Sequence, residues 1–405
     1  MKYKKPSLIN PAIRNRSEGG DFFIAKDGWL KLMDGENYRG RLLLPKFAQT
    51  GVEQISRGEQ QAANSGQQMD RGSARLTDDP QMSRGSEIAL GEVVFNTGMT
   101  GYVETLTDPS YHNQILVFTY PLLGNYGVQL EDIESDQVHV SGIVVANLEL
   151  TGSHATSNLS LLRFATSHNI PIITEVDTRA VTKHLRAKGT MKGAIGESTE
   201  RLADFKLVPS FSTISSPINY DCHRTKKVIL VDCGAKDNIL QSLLALGLGV
   251  RRVPYDYDYT HEDYDGVLLS NGPGDPTDYG PTIAIAKHAF RTSRPVFGIC
   301  LGSQIMALAA GARTYKLPYG HRGHNQPCMD LASRHCVITS QNHGYAIDAA
   351  SLPASWRVSF RNLNDGTVEG VEHRSKPFFS VQFHPEAAPG PTDTNYLFEK
   401  FKELL

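Results

Sequence analysis

Between Lys227 and Gly311 short apolar runs, KVILVD, GVLLS and PVFGIC, alternate with longer stretches whose apolar residues recur at helical spacing, and no other feature restricts the fold of this chain so tightly. A strand covered on both faces has no polar side to show, so it reads as an unbroken apolar run. AKDNILQSLLALG predicts a helix with Ile239, Leu240, Leu243 and Leu244 on one side, and PTIAIAKHAFRTS and LGSQIMALAAG predict two more. Strands alternating with helices give an α/β domain built on a mostly parallel, doubly wound sheet. Ligands of such sheets collect at the carboxyl ends of the strands, which directs attention to the residues that follow each run.

At 405 residues the chain is long enough for two or three domains. The doubly wound domain is expected over 227–405, and a polar, proline-containing segment sets a linker over 211–226. Residues 26–210 predict a smaller α+β N-terminal domain. Lys26 to Pro45 alternates apolar and polar residues around Asp-Gly and Gly-Glu-Asn turns, as a hairpin does, and strand and turn patterns resume from Gly91. Residues 46–86 are rich in Gln, Gly, Ser and charge and poor in apolar anchors, a composition that reads as a polar insertion. Residues 1–25 form a basic tail without the apolar core of a secretory signal, an organellar transit peptide being the alternative.

A formal charge of -2, from 41 basic and 43 acidic side chains, supplies no field for nucleic acid or an anionic membrane. No apolar stretch is long enough to span a bilayer. The five cysteines, Cys222, Cys233, Cys300, Cys328 and Cys336, are an odd number without a Cys-x-x-Cys pair. That argues against a disulfide framework and a zinc site, and for reduced thiols in a cytoplasmic compartment.

Gly298-Ile299-Cys300-Leu301-Gly302 has the spacing of a sharp strand-to-helix elbow, in which residues two positions from a nucleophile crowd one another and glycines relieve the clash. The elbow would set Cys300 at a helix N-terminus, where the dipole favours thiolate over thiol. A buried structural cysteine is the competing reading. A thiolate attacking a carbonyl carbon also needs a proton shuttle and a site for the developing oxyanion. In FFSVQFHPEAAPG, Pro385 biases His384 to an extended conformation, where residues two apart point the same way. Glu386 could then orient the His384 ring while His384 serves Cys300. Taken singly, His384 reads as a capping or core-edge histidine and Glu386 as a solvated carboxylate. The loop SNGPGDP, Ser270 to Pro276, lets backbone N–H groups at Gly272 and Gly274 approach a ligand, and its amides pair naturally with that of Leu301 as an oxyanion site. No Gly-Lys-Ser/Thr follows, so it is not a phosphate loop, and a plain turn would look the same.

Together SNGPGDP, GICLGSQ, QNHG (Gln341 to Gly344) and HPEAAPG closely resemble the class I, triad-type glutamine amidotransferases. Upstream, GEVVFNTGMTGYVETLTDPSY, TYPLLGNYG, DTRAVTKHLRAKG and CGAKDNI resemble the small, glutamine-hydrolysing subunit of carbamoyl phosphate synthetase. The resemblance spans most of 27–45 and 87–405, and it implies a set of roles. Cys300 would form a glutamyl thioester, His384 would protonate the departing ammonia and later activate water, and Glu386 would orient His384. Amides at Gly272 and Leu301 would hold the oxyanion. Further glutamine contacts carry over to Ser110, Gly274, Gln304, Asn342, Gly344 and Tyr345, and because Ser110 lies in the first domain the pocket is expected between domains.

The implied partner is a large synthetase subunit that uses ATP, magnesium and bicarbonate and receives ammonia through a protected tunnel. No nucleotide motif occurs in this chain, so ATP and magnesium are assigned to that partner and no cofactor or metal to this chain. Three residues depart from the family pattern: Ser303 in GICLGSQ where His is usual, Tyr345 for Phe, and His324 in GHRGHNQP where Gly is usual. None removes a triad member, but Ser303, beside the elbow, could weaken hydrolysis or its coupling to the partner. Two other readings stay open: an amidotransferase redirected to another synthetase, and a weakly active regulatory or scaffold subunit.

Overall fold

The computed structural model describes residues 23–45, 89–196, 211–221 and 223–405. The insertion expected over 46–86, Cys222, and all but the last three residues of the tail lie outside the described residues.

Strand β1 (Phe23–Leu32) pairs antiparallel with β2 (Asn37–Pro45), so the hairpin read from Lys26 starts earlier, at Phe23. Strands β3 (Ala89–Asn96), β4 (Gln114–Phe118), β5 (Gly142–Val144), β6 (Ile172–Thr174) and β7 (Met191–Gly196) complete a closed barrel in the order β1-β2-β6-β5-β4-β3-β7. Pairing of β7 with β1, Trp29 opposite Gly196, makes the closure. Successive residues of a strand face opposite ways. Val93, Phe95, Ile115 and Val117 accordingly join one apolar cluster, and Val94, Leu116 and Phe118 join another. Helices α1 (Tyr102–Thr107) and α2 (Leu161–Ser167) add Val103, Leu106, Leu161 and Phe164 to the second cluster. Helix α3 (Thr178–Lys188), capped by the Asp177 side chain accepting from the Ala180 N–H, adds Val181 and Leu185 to the first.

Ten strands form the sheet of the second half: β8 (Ile218–Tyr220), β9 (Lys227–Asp232), β10 (Gly249–Pro254), β11 (Gly266–Leu269), β12 (Val296–Ile299), β13 (Thr314–Asp330), β14 (Cys336–Ile347), β15 (Trp356–Asn362), β16 (Val368–His373) and β17 (Phe378–Val381). Their order is β8-β10-β9-β11-β12-β17-β16-β15-β13-β14. From β10 to β17 along that order the strands are parallel, as apolar runs joined by α4 (Asp237–Ala245), α5 (Gly280–Ala289) and α6 (Leu301–Ala310) require. From β17 to β14 they are antiparallel, because β13 to β17 are linked by short connections with no α-helix between them. Strand β8 falls inside the segment read as a linker and pairs antiparallel with β10, so that connection is part of the sheet.

Both faces of the parallel region are covered. Val228 and Leu230 of β9 pack with Ile239, Leu240 and Leu243 of α4 and with Phe401 of α7 (Tyr396–Leu404), whereas Ile229 and Val231 pack with Ala286 of α5 and with Ile305 and Met306 of α6. Leu244, expected on the inner face of α4, is only partly buried.

The barrel and the sheet meet along a polar seam. The Asn271 side-chain N–H donates to Ser110 Oγ at 2.8 Å and to Asp108 Oδ1 at 3.3 Å. Asn342 Nδ2 donates to Asp108 Oδ2 at 3.2 Å, and Lys316 pairs with Glu92 at 2.8 Å.

Candidate active site

Cys300 follows β12 directly and α6 begins at the next residue. Its φ of 54° and ψ of -106° lie outside the regions that L-residues favour, a strain found where the surrounding structure dictates the backbone. Here the Cys300 N–H donates to the Val381 carbonyl at 2.9 Å and the Gly302 N–H to the Ser270 carbonyl at 2.9 Å. A methyl at Gly298 would come within 2.7 Å of the Gly302 carbonyl and 2.6 Å of the Met306 sulfur. One at Gly302 would strike the Leu269 carbonyl oxygen at the end of β11. The crowding expected two positions either side of the nucleophile is present, and the neighbouring strand adds to it.

His384 and Glu386 come from the segment after β17 and are both buried. His384 Nδ1 lies 2.6 Å from Glu386 Oε1, so the i, i+2 geometry read from the sequence is formed. A carboxylate only accepts, so Nδ1 carries the proton, and Nε2 is left without a hydrogen-bond partner among the described residues. Burial opposes charge on His384, but Glu386 and the Cys300 sulfur outweigh it and push the imidazole pKa up to about 10. Burial also opposes charge on Glu386, and Lys236 and His384 outweigh it, holding the carboxyl at about 2. Cys300 Sγ itself lies 3.6 Å from the Asn342 carbonyl oxygen.

Sequence reasoning passed over Lys236. Its ammonium is buried, 3.0 Å from Glu386 Oε1 and 2.7 Å from the Ala387 carbonyl, and Asn238 Nδ2 donates to the Glu386 carbonyl at 2.6 Å. In CGAKDNI a lysine ahead of a helix reads as solvated, and the only available signal was its place just after a strand end. Lys236→Met should leave Glu386 buried with one cation fewer. Stability is expected to fall by about 3–5 kcal/mol, read by urea denaturation. Protonation of Glu386 should also move the acidic limb of the glutaminase pH profile upward by more than about one unit; an unmoved limb would show that Lys236 only fills space.

A cavity of about 290 Å³ opens beside the elbow. Ser110, Gly272, Gly274, Leu301, Gln304, Asn342, Gly344 and Tyr345 all line it, together with Cys300. His384 and Glu386 do not, although His384 is near enough to the Cys300 sulfur to interact with it. Gly272 is pressed against the Cys233 carbonyl, where any Cβ would collide. Gln304 commits its N–H groups to the Tyr345 carbonyl at 2.8 Å and to Gln382 Oε1 at 2.9 Å, so its carbonyl oxygen is the end free to receive a ligand's donor. Glu92, Lys316 and Arg322 also line the cavity and were not foreseen.

The profile of class I glutamine amidotransferases matches residues 229–404, and that of the carbamoyl-phosphate synthase small chain CPSase domain matches 77–195. A carbamoyl phosphate synthase arginine-specific small chain of Chaetomium globosum is 45% identical over 335 residues, covering 77% of this chain and 73% of that protein. The chain belongs to the carbamoyl phosphate synthase small chain family. The arginine-specific small chain of Aspergillus fumigatus is 46% identical over 335 residues, covering 76% of this chain and 73% of the relative. The multifunctional protein CAD of Squalus acanthias is 45% identical over 337 residues, 78% of this chain but 15% of that protein.

Of the departures from the small chain family pattern, Ser303 does not line the cavity. It is fully buried beneath the elbow, where its hydroxyl is 2.8 Å from that of Ser380. Tyr345 is in the cavity wall. His324 is half-buried, and burial, with the Lys236 and His384 charges, lowers its pKa to about 4. Among the described residues no helix is long and apolar enough to cross a membrane, and Cys233, Cys300, Cys328 and Cys336 are free thiols.

Proposed function

We infer that this chain hydrolyses L-glutamine to glutamate and supplies the ammonia to a large, ATP-using carbamoyl phosphate synthetase subunit, in a cytoplasmic enzyme. The observation that carries this reading is the Cys300 elbow, backed by the His384–Glu386 pair and opening on a cavity whose wall holds every expected glutamine contact. In the proposed sequence Cys300 Sγ bonds to the carboxamide carbon, and the oxygen that becomes negative is met by the amides of Gly272 and Leu301. A protonated His384 gives its proton to the leaving nitrogen as the C–N bond breaks, which leaves a glutamyl thioester and ammonia. Water then loses a proton to His384 and attacks the thioester carbon. Glutamate leaves, and the sulfur takes the proton back. Glu386 stays ionised throughout, held by Lys236.

Ammonia released into water at neutral pH becomes ammonium, which is not a nucleophile, so a sheltered route to the partner is part of the reading. ATP, magnesium and bicarbonate belong to that partner. The test is carbamoyl phosphate formation by this chain with its cognate large subunit, ATP and bicarbonate, comparing glutamine with ammonium as donor. Efficient use of glutamine is expected. Formation with ammonium alone would sink the reading in favour of a scaffold subunit that binds without delivering.

A further inference from the structure

A second polar cluster lies in the wall between the glutamine cavity and a larger one of about 570 Å³. It joins His321 of β13, Gln341 and His343 of β14, and Glu369 of β16, all buried. Gln341 Oε1 is 2.9 Å from His321 Nδ1 and 3.2 Å from His343 Nε2, and Glu369 Oε1 is 3.3 Å from His321 Nδ1 and 3.9 Å from His343 Nε2.

The protons on these groups are fixed from outside. His343 Nδ1 faces the Tyr345 carbonyl at 2.8 Å and His321 Nε2 faces Asp365 Oδ2 at 2.8 Å, so each ring spends an N–H on an outer acceptor. The Gln341 amide cannot be turned over. Its Nε2 donates to Glu369 Oε2 at 3.0 Å and to Thr339 Oγ1 at 3.1 Å, while the Thr339 hydroxyl gives its own proton to the Gln326 carbonyl at 2.8 Å. Four acceptors face inward, His321 Nδ1, His343 Nε2, Gln341 Oε1 and Glu369 Oε1; Asn362 Nδ2 reaches His321 Nδ1 and Glu369 Oε1 only at 3.5 Å, and the Thr367 hydroxyl lies 3.2 Å from Glu369 Oε1. Neutral rings would still leave the His343 Nε2 lone pair facing that of Gln341 Oε1 at 3.2 Å. Something positive belongs at the centre.

We propose that His321 Nδ1, His343 Nε2 and a Glu369 oxygen, with Gln341 Oε1 as a neutral fourth donor, form a binding site for one divalent transition-metal ion of the zinc type. Donors about 2.0–2.1 Å from a tetrahedral zinc stand about 3.3 Å from each other, close to the spacings here. The outer contacts have the form that metal-bound histidines require, one N–H on a carboxylate and one on a backbone carbonyl, with the ligating carboxylate itself held by a donor. The alternative is a second proton on the rings: at His321 burial is outweighed by the Glu369 and Asp365 carboxylates, which favour one, whereas at His343 burial disfavours one. His321 and Asp365 also line the larger cavity, which provides a way in. Because His343 lines the glutamine cavity, an ion here would brace the wall that carries Asn342, Gly344 and Tyr345.

Zinc should be added to the full-length chain, the chain desalted through a weak chelator, and bound metal counted by mass spectrometry. One zinc per chain is expected in the natural protein and in Cys300→Ser, and none in Glu369→Gln or His321→Asn. Asp365→Asn should bind about 10–100-fold more weakly. Cobalt in place of zinc should give visible absorption bands that Glu369→Gln abolishes. Circular dichroism and the zinc-free melting temperature establish that each variant is folded. Zinc lost in Cys300→Ser but kept in Glu369→Gln would place the ion at the catalytic thiol and overturn the proposal. Equally fatal would be no retained zinc together with a melting temperature that rises as pH falls, which would mean that protons fill the cluster.

Discussion

Cys300→Ala is expected to abolish glutamine-dependent carbamoyl phosphate formation by the assembled enzyme while ammonium-dependent formation continues. On the proposed mechanism, losing the sulfur removes the atom that holds the glutamyl group, and neither His384 nor water replaces a covalent intermediate. A fall in the glutamine rate on the order of 10⁴ or more is anticipated. The fold should tolerate the change. Alanine has the same backbone demands as cysteine at the strained φ of 54°, and truncating one sulfur from a small buried side chain costs on the order of 1 kcal/mol. Equal loss of both activities would make Cys300 a structural residue and remove the basis for the thioester.

Gly302→Ala is the second large effect. The added methyl meets the Leu269 carbonyl oxygen, which is backbone at the end of a central parallel strand and cannot swing aside as a side chain would. The Gly302 N–H is also tied to the Ser270 carbonyl, so the helix end cannot back away without losing a bond at 2.9 Å. Overpacking of this kind costs about 1–3 kcal/mol, and more where backbone must move. The midpoint of urea denaturation should drop accordingly, and displacement of the elbow should lower glutamine turnover further. Gly280→Ala is the control. It lies at the start of α5 with nothing within 4 Å of an added methyl, and should be neutral or slightly stabilising. Equal behaviour of the two variants would show that the elbow relaxes more easily than its contacts suggest.

What could be read from the sequence followed the range of the interactions involved. The elbow, the His384–Glu386 pair and the strands around α4 to α6 depend on neighbours a few residues apart, and periodicity, proline and glycine report such neighbours directly. The eight cavity residues come from distant parts of the chain, a short turn, a loop, α6 and β14; glycine-loop chemistry pointed to Gly272, Gly274 and Leu301 and resemblance named the rest, and the seam through Asp108, Asn271 and Ser110 helps to gather them. Lys236 was invisible because a charged side chain is assigned to solvent unless its partner is known, and Glu386 lies far along the chain. The same holds for His321, His343 and Glu369. They come from three strands, so no local ligand spacing marks them, and the cysteine pattern carries no sign of them. Barrel closure escaped for a related reason, since β1 and β7 meet only after the whole first domain has been laid down.

The separation of Cys300 from His384 along the chain has a consequence for the birth of the protein. At roughly 5–20 residues per second of synthesis, the ribosome emits the thiol several seconds before its base, and Glu386 later still. Strand β17, whose Val381 carbonyl holds the Cys300 amide, is also made after the thiol. A growing polypeptide therefore lacks the carbonyl that holds the Cys300 amide, and the proton shuttle, until β17 and the segment after it have been made. Glutamine in the surrounding fluid should be safe from a copy that stops short of His384, and the amide should first be cut only once Glu386 has followed it.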